Sequence, residues 1–314
     1  MPSHAKSSAS RHRIIALGET MALVTPTSNE PLEFAQEFRL DIGGAESNVA
    51  THLAALGHET SWVSRVGDDA LGRRVATTIR DRGVDVSLVE VTRDAPTGVY
   101  FKDPGVGVLY YRNGSAASTL GPGILDQVPL ADAELVHVSG ITPALSQSCS
   151  ALIDAIFERL DQKRTLVSFD VNYRAGLWSV ADAAPRLHRL AQQADIVFVG
   201  LDEAQTLWGT NTPDEVRALL HAPDRLVVKD SDVGATEYSP EGEAFVPAPA
   251  VEVVEAVGAG DAFAAGYRGA ALDGRGAEQR LRAGHDRAAL VLQYMSDFVV
   301  DQPDDSRDDE RKNT

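Results

Sequence analysis

The feature that most constrains this chain is a repeated alternation of short, largely apolar runs with longer Ala-, Leu- and Arg-rich stretches. Residues 14–17, 135–138, 166–169, 196–199 and 226–228 read as buried strands. Between them, residues 49–56, 71–82, 147–160, 183–193 and 212–221 have helical character. Strand–helix alternation at this spacing predicts an α/β fold with a largely parallel sheet covered on both faces. Two stretches depart from the pattern. Residues 20–40 and 92–119 carry short alternating strands with Pro/Gly turns and no helix between them, and predict a small β-sheet lid projecting from the main domain.

At 314 residues the chain suits one large domain, here residues 14–300, flanked by a Ser-rich segment (1–13) and an acidic one (301–314) that are expected to be disordered. The formal net charge of −17 argues against nucleic acid as a partner, because a phosphate backbone requires a basic surface. It also sets a problem for any anionic ligand, which the global field would repel. Cys149 is the only cysteine, so no intramolecular disulfide and no Cys/His metal spacing exist. A lone thiol favours a reducing compartment. Residues 1–13 lack an apolar core of signal-peptide type, and no run of 18 apolar residues occurs, so the expectation is a cytoplasmic protein without a membrane partner.

Two glycine motifs carry the chemistry. Gly43-Gly44-Ala45-Glu46-Ser47-Asn48 sets two glycines before a helix, where backbone can approach a ligand and Asn48 can bind hydroxyls. A loop with Asn48 on a polar helix face is the alternative. Gly67-Asp68-Asp69-Ala70-Leu71-Gly72 reads as a strand end, an Asp cap and a helix start, a structural element. Gly258-Ala259-Gly260-Asp261-Ala262-Phe263 is the stronger signal: a Gly-Ala-Gly turn opens an Ala-rich helix with a carboxylate in its first turn. Backbone N–H groups and the positive helix end would face an anion there, and a nearby carboxylate would supply a base for phosphoryl transfer. The alternative is that Asp261 only satisfies the helix start. Neither a P-loop nor a GxGxxG fingerprint is present.

The order of GGAxxN, GDDxxG and GAGDAF, spanning about residues 14–298, resembles the ribokinase-like (PfkB) family of carbohydrate kinases. The resemblance implies a ribokinase-like three-layer sandwich with a β-sheet lid, ATP and Mg²⁺ as cofactors, and phosphorylation of a sugar hydroxyl. It further implies Asp261 as catalytic base, Gly258, Ala259 and Gly260 as anion hole, and a homo-oligomer, a dimer through the lid or a higher assembly. Tyr110-Tyr111-Arg112-Asn113-Gly114-Ser115 and Asp170-Val171-Asn172-Tyr173-Arg174, with Trp178, resemble the sugar-pocket segments of the 2-keto-3-deoxygluconate kinases of that family. Such a substrate carries a carboxylate, which Arg112 and Arg174 would clamp, with Tyr100 and Tyr110 on its keto or hydroxyl oxygens. By the same resemblance Gly43, Gly44, Asn48, Asp170 and Asn172 line the sugar site. A surface ion pair is the alternative for Arg174. Trp178 reads as a core residue, and Tyr111 alternates away from Tyr110.

The nucleotide side matches less closely. Glu203 keeps the acid of an Asn-x-x-Glu element that organises metal and phosphates indirectly, but Gly200 replaces the Asn. Lys229-Asp230-Ser231-Asp232-Val233-Gly234-Ala235 has Ser231 for a glycine, and His285 follows Gly284 where Asn is frequent near the purine. Lys229, Ser231, Gly234 and His285, with Gly258 and Gly260, are the expected ATP contacts. Glu255-Ala256 stands for the common Asp-Thr and argues against a K⁺ site. The leading expectation is an ATP-dependent kinase of 2-keto-3-deoxygluconate. The alternatives are a kinase of fructose or another sugar acid, and a sugar-binding protein without catalysis.

Overall fold

The structure is a computed structural model that describes residues 12–160 and 164–293; the segments 1–11 and 301–314, where disorder was expected, lie outside the described residues. In chain order the strands are β1 (Arg13–Leu17), β2 (Met21–Pro26), β3 (Phe38–Gly43), β4 (Glu59–Gly67), β5 (Val89–Thr92), β6 (Val99–Asp103), β7 (Gly107–Tyr111) and β8 (Leu135–Ser139). They continue as β9 (Leu166–Asp170), β10 (Ile196–Gly200), β11 (Arg225–Asp230), β12 (Gly234–Ser239) and β13 (Gly242–Pro247). The helices are α1 (Ala45–Ala55), α2 (Ala70–Asp81), α3 (Thr142–Leu145), α4 (Gln147–Leu160) and α5 (Val180–Ala191). They are followed by α6 (Leu201–Trp208), α7 (Pro213–Leu219), α8 (Ala259–Leu272) and α9 (Ala277–Leu292).

The main sheet has nine strands in the order β13-β12-β11-β10-β9-β8-β1-β4-β5. Its pairs from β11 to β5 are parallel, whereas β12 pairs antiparallel with both neighbours. The apolar runs are buried on both sides, and strand alternation divides them between two layers. Ile14, Leu135, Ile196, Phe198 and Val227 pack with α1, α8 and α9 through Leu53, Phe263, Tyr267 and Leu281. Their neighbours Ile15, Val136, Val197, Val199 and Val228 pack with α4 and α5 through Ile153, Ile156 and Leu187. That division is the three-layer sandwich. Asp69 caps α2 by accepting from the Gly72 N–H at 2.7 Å, the structural role its sequence context predicted.

The two helix-free stretches form a second sheet, β3-β2-β6-β7. Met21, Leu23 and Tyr100 are buried on one of its faces, with Val108 against them. Tyr111 alternates to the other face, 65 % exposed and edge-on to Phe101. Two ion pairs join this sheet and its exit to the main body: Lys102 Nζ to Glu255 Oε2 at 3.2 Å, and Arg112 Nη2 to Glu19 Oε2 at 2.5 Å.

Candidate active site

The carboxyl ends of β1, β8, β9, β10 and β11 open toward the first turns of α1 and α8, the position where open α/β sheets place ligands. Gly258 caps α8 at φ +84 and ψ −12, a left-handed conformation that glycine adopts without strain. Ala259 N–H reaches the Ala256 carbonyl at 3.3 Å. Among the described residues the Gly260 and Asp261 N–H groups have no acceptor, so two first-turn amides remain for a ligand. A Cβ placed on Gly260 would lie 3.6 Å from Lys229 Nζ, which puts an ammonium beside those amides.

Asp261 does not spend its side chain on its own helix. α8 has no side-chain cap, and Asp261 Oδ2 accepts instead from Asn48 Nδ2 at 2.9 Å. Burial pushes the Asp261 pKa up to about 7; Asp170 adds to the rise, while Asn48, Arg174 and Lys229 oppose it. Asn48 is itself buried, in the second turn of α1, so its amide is fixed from behind. Gly44, the N-cap of α1, is needed for a reason other than ligand approach. A Cβ there would sit 2.3 Å from the Glu19 carbonyl and 2.7 Å from Thr20 Oγ1, so the missing side chain makes room for the β1–β2 turn. Gly43 is buried at the end of β3.

Asp170, at the end of β9, is buried and pairs with Lys229 Nζ at 3.3 Å; its Oδ1 is buried without a partner. Burial alone would lower the Lys229 pKa, but the carboxylates of Asp170 and Glu203 outweigh it, and the pKa is raised. Asn172 follows with φ +40, a left-handed position that asparagine tolerates. Arg174 is exposed; its Nη1 lies 3.4 Å from the Tyr173 carbonyl, and among the described residues it makes no ion pair. That observation answers the surface-ion-pair alternative. Glu203 is committed to structure: Oε1 accepts from the Tyr173 N–H and Oε2 from the Gly200 N–H, each at 2.9 Å. It brackets the start of α6 to the Tyr173–Arg174 loop, and burial raises its pKa.

Ser231 takes φ +40 in the β11–β12 turn, a conformation that favours the glycine it replaces. Gly234 has φ +151, and a Cβ would meet the Val246 carbonyl at 2.5 Å. His285 is buried, with Nε2 3.1 Å from the Val246 carbonyl and its ring edge-on to Phe263. It therefore braces α9 against β13 rather than offering an open polar edge, and burial lowers its pKa. Trp178 packs against the core, as its sequence context suggested.

On the small sheet, Tyr100 and Tyr110 stack at 5.7 Å between ring centroids, with Tyr100 buried and Tyr110 48 % exposed. Arg112 lies 5.6 Å from the Tyr110 ring centroid. The expected free clamp is corrected here. Arg112 is buried and donates from Nε to Glu19 Oε2 at 2.7 Å, while Ser115 Oγ donates to Glu19 Oε1 at 2.5 Å. Glu19, 2 % exposed at the end of β1, is the site residue that sequence reasoning missed. Its signal was faint: a single acid immediately after an apolar strand, in Gly18-Glu19-Thr20.

Residues 11–300 match the pfkB family carbohydrate kinases. The chain belongs to the PfkB family. Among curated relatives, the 2-dehydro-3-deoxygluconokinase of Thermoproteus tenax is 33 % identical over 294 residues, 90 % of this chain and 89 % of that protein. The 2-dehydro-3-deoxygluconokinase of Bacillus subtilis (strain 168) is 34 % identical over 297 residues, 90 % of each. The crystal structure of a PfkB protein from Polaromonas sp. JS666 superposes with a TM-score of 0.84 at 32 % identity, covering 91 % of this chain and 97 % of that one. The chain is thus a carbohydrate kinase of ribokinase-like fold. PfkB kinases use ATP with Mg²⁺, and among the described residues no helix is long and apolar enough to cross a membrane.

Proposed function

We propose that this PfkB kinase transfers the γ-phosphoryl group of ATP to the primary hydroxyl of 2-keto-3-deoxygluconate, giving the 6-phosphate. The observation that carries the reading is the Asp261 carboxylate, unspent on its helix and held by Asn48 at 2.9 Å beside the open α8 amides. Asp261 accepts the hydroxyl proton as the oxygen–phosphorus bond forms and the bond to the ADP oxygen breaks. The Gly260 and Asp261 amides and the Lys229 ammonium face the charge that develops on the transferred group. Asp170 Oδ1, buried and without a partner, is placed to accept from a sugar hydroxyl.

Among the described residues no group of three or more His, Cys, Asp or Glu is arranged to hold a metal. A Mg²⁺ ion would then enter on the ATP phosphates and supply charge neutralisation there, with Glu203 acting only indirectly. Glu255 already receives Lys102 and the Val257 N–H, so we place no K⁺ requirement on it.

The acid-substrate assignment rests on Arg174, a guanidinium with no ion pair among the described residues, together with the relatives' names. Arg112 contributes an oriented edge rather than a free charge, because Glu19 neutralises it. The small sheet acts as a lid that excludes water, and its exposed Leu109 and Tyr111 suit a dimer contact. The lone, buried Cys149, whose pKa burial raises, fits the reducing, ATP-supplied cytoplasm. An ADP-release assay across sugar acids and neutral sugars tests the proposal. Preference for 2-keto-3-deoxygluconate is expected; if fructose or ribose outruns every sugar acid, the assignment of Arg174 fails.

A further inference from the structure

Arg268 lies in α8 with no exposed surface. Its hydrogen-bond partners are neutral. Nε donates to Ser168 Oγ at 2.6 Å, and Nη2 donates to His137 Nδ1 at 3.0 Å. His137 Nδ1 also lies 3.2 Å from the Ser168 carbonyl, so the ring nitrogen stands between a donor and an acceptor, which call for opposite tautomers. Burial and the adjacent guanidinium keep the His137 pKa well below its ordinary value, so this ring stays uncharged. The guanidinium carbon lies 4.2 Å from the Phe198 ring centroid, and Nη1 has no partner. Among the described residues no carboxylate comes within ion-pair distance of Arg268. Arg112 with Glu19 and Arg280 with Glu237 follow the ordinary rule that a buried cation is paired. Arg268 does not.

Its balancing charges stand at the site. Ser168 and Asp170 are two residues apart on β9, so they point to the same face of the sheet, the α8 face. Asp261 is seven residues, two helical turns, before Arg268, on the same side of α8 and about 10 Å along its axis. Asp170 already has Lys229 at 3.3 Å. Among the described residues the hydrogen-bond partner of the Asp261 side chain is neutral, Asn48, with Arg174 and Lys229 facing it from the β9–α5 loop and β11 and Asp170 facing it from β9. Glu203, from α6, faces Lys229 and Asp170.

We propose that Arg268 is a positioning residue that acts through Asp261: its buried, unpaired charge favours ionisation of the Asp261 carboxylate and so sets the pH above which the kinase turns over. The inference rests on the reading of Asp261 as base. It also accounts for an arginine kept where a hydrophobic side chain would bury at lower cost.

The test is the pH dependence of kcat/KM for the wild type, Arg268→Gln, Arg268→Leu and Arg268→Lys, with thermal unfolding of each. Two charges about 10 Å apart at an effective dielectric near 20 predict an upward move of the acid-limb midpoint by about one pH unit in the Gln and Leu variants. Turnover then falls about tenfold at pH 6 and stays within about twofold of wild type at pH 9. Lys restores the midpoint, and Leu does not lower the melting temperature. A loss that is equal at every pH, with the midpoint unmoved, overturns the proposal and leaves Arg268 a packing residue. The Gln variant keeps a donor without the charge and serves should Leu fail to fold. Asp261→Asn run alongside separates the two readings. Normal turnover in that variant removes the base itself, whereas a dead Asp261→Asn with an unmoved Arg268 midpoint removes only this inference.

Discussion

At the scale of single residues, the site is set by which charges are already spent. Arg112 and Arg174 sit in motifs of equal promise, yet one is buried on Glu19 and the other is exposed and, among the described residues, without an ion pair. Arg112→Met should strand a buried carboxylate and cost about 3–5 kcal/mol in denaturant unfolding. Arg174→Ala should stay within about 0.5 kcal/mol of wild-type stability while raising KM for acidic sugars. Equal destabilisation by both would contradict the Arg112–Glu19 assignment. Asp261 has the opposite signature to a salt-bridged acid. Its folded pKa, about 7, lies above the ordinary 3.8, so the folded state binds the extra proton between those values and loses stability as pH rises through them. Asp261→Asn should therefore melt higher than wild type at pH 8 and close to it at pH 4; a lower melting point at pH 8 would refute the raised pKa. The GAGD unit was legible because its residues are adjacent. The partner of Asp261 was not, because Asn48 lies 213 positions away and nothing local couples the two.

At the scale of elements, the chain's logic is strand alternation feeding two core layers and helix starts aimed at one edge. The buried parallel strands were legible since an apolar run with both faces covered has few other uses. Of β4 only the end at Gly67 was read, and β12 and β13 were not, because these strands mix polar and glycine positions and the last two lie at the antiparallel edge. α1 begins at Ala45, directly after the glycine pair, and its Glu46 and Ser47 look polar but are buried behind the site. Gly258 sets the entry to α8: Gly258→Ala should cost about 1–2 kcal/mol for the left-handed backbone and displace the open amides. Unchanged stability and turnover would count against that geometry. Lys102 ties the small sheet to the loop before α8 through Glu255. In Lys102→Ala, hydrogen exchange should quicken across β6 and β7 while α8 and α9 keep their protection; uniform change would show general destabilisation instead.

At the scale of the whole molecule, a net charge of −17 and the two anionic substrates of the proposed reaction are reconciled by where the positive groups stand. The field outside repels, so affinity must come from Lys229, Arg174 and the α8 amides gathered at one end of the sheet. Buried Arg268 adds positive potential beneath them. The architecture was legible from periodicity, and the chemistry from two glycine motifs in a fixed order. Neither revealed that Glu19 occupies Arg112, nor that His285 turns inward onto Val246, since both depend on how distant segments pack. The central claim is that Asp261 works as a base because its carboxylate is held by Asn48 and left unspent by its helix. It is tested most directly by kcat for Asp261→Asn with 2-keto-3-deoxygluconate, beside calorimetric binding of the same sugar. The account predicts a fall of about 10²-fold to 10⁴-fold in kcat, with sugar affinity within a few-fold of wild type. Turnover within tenfold of wild type would contradict it.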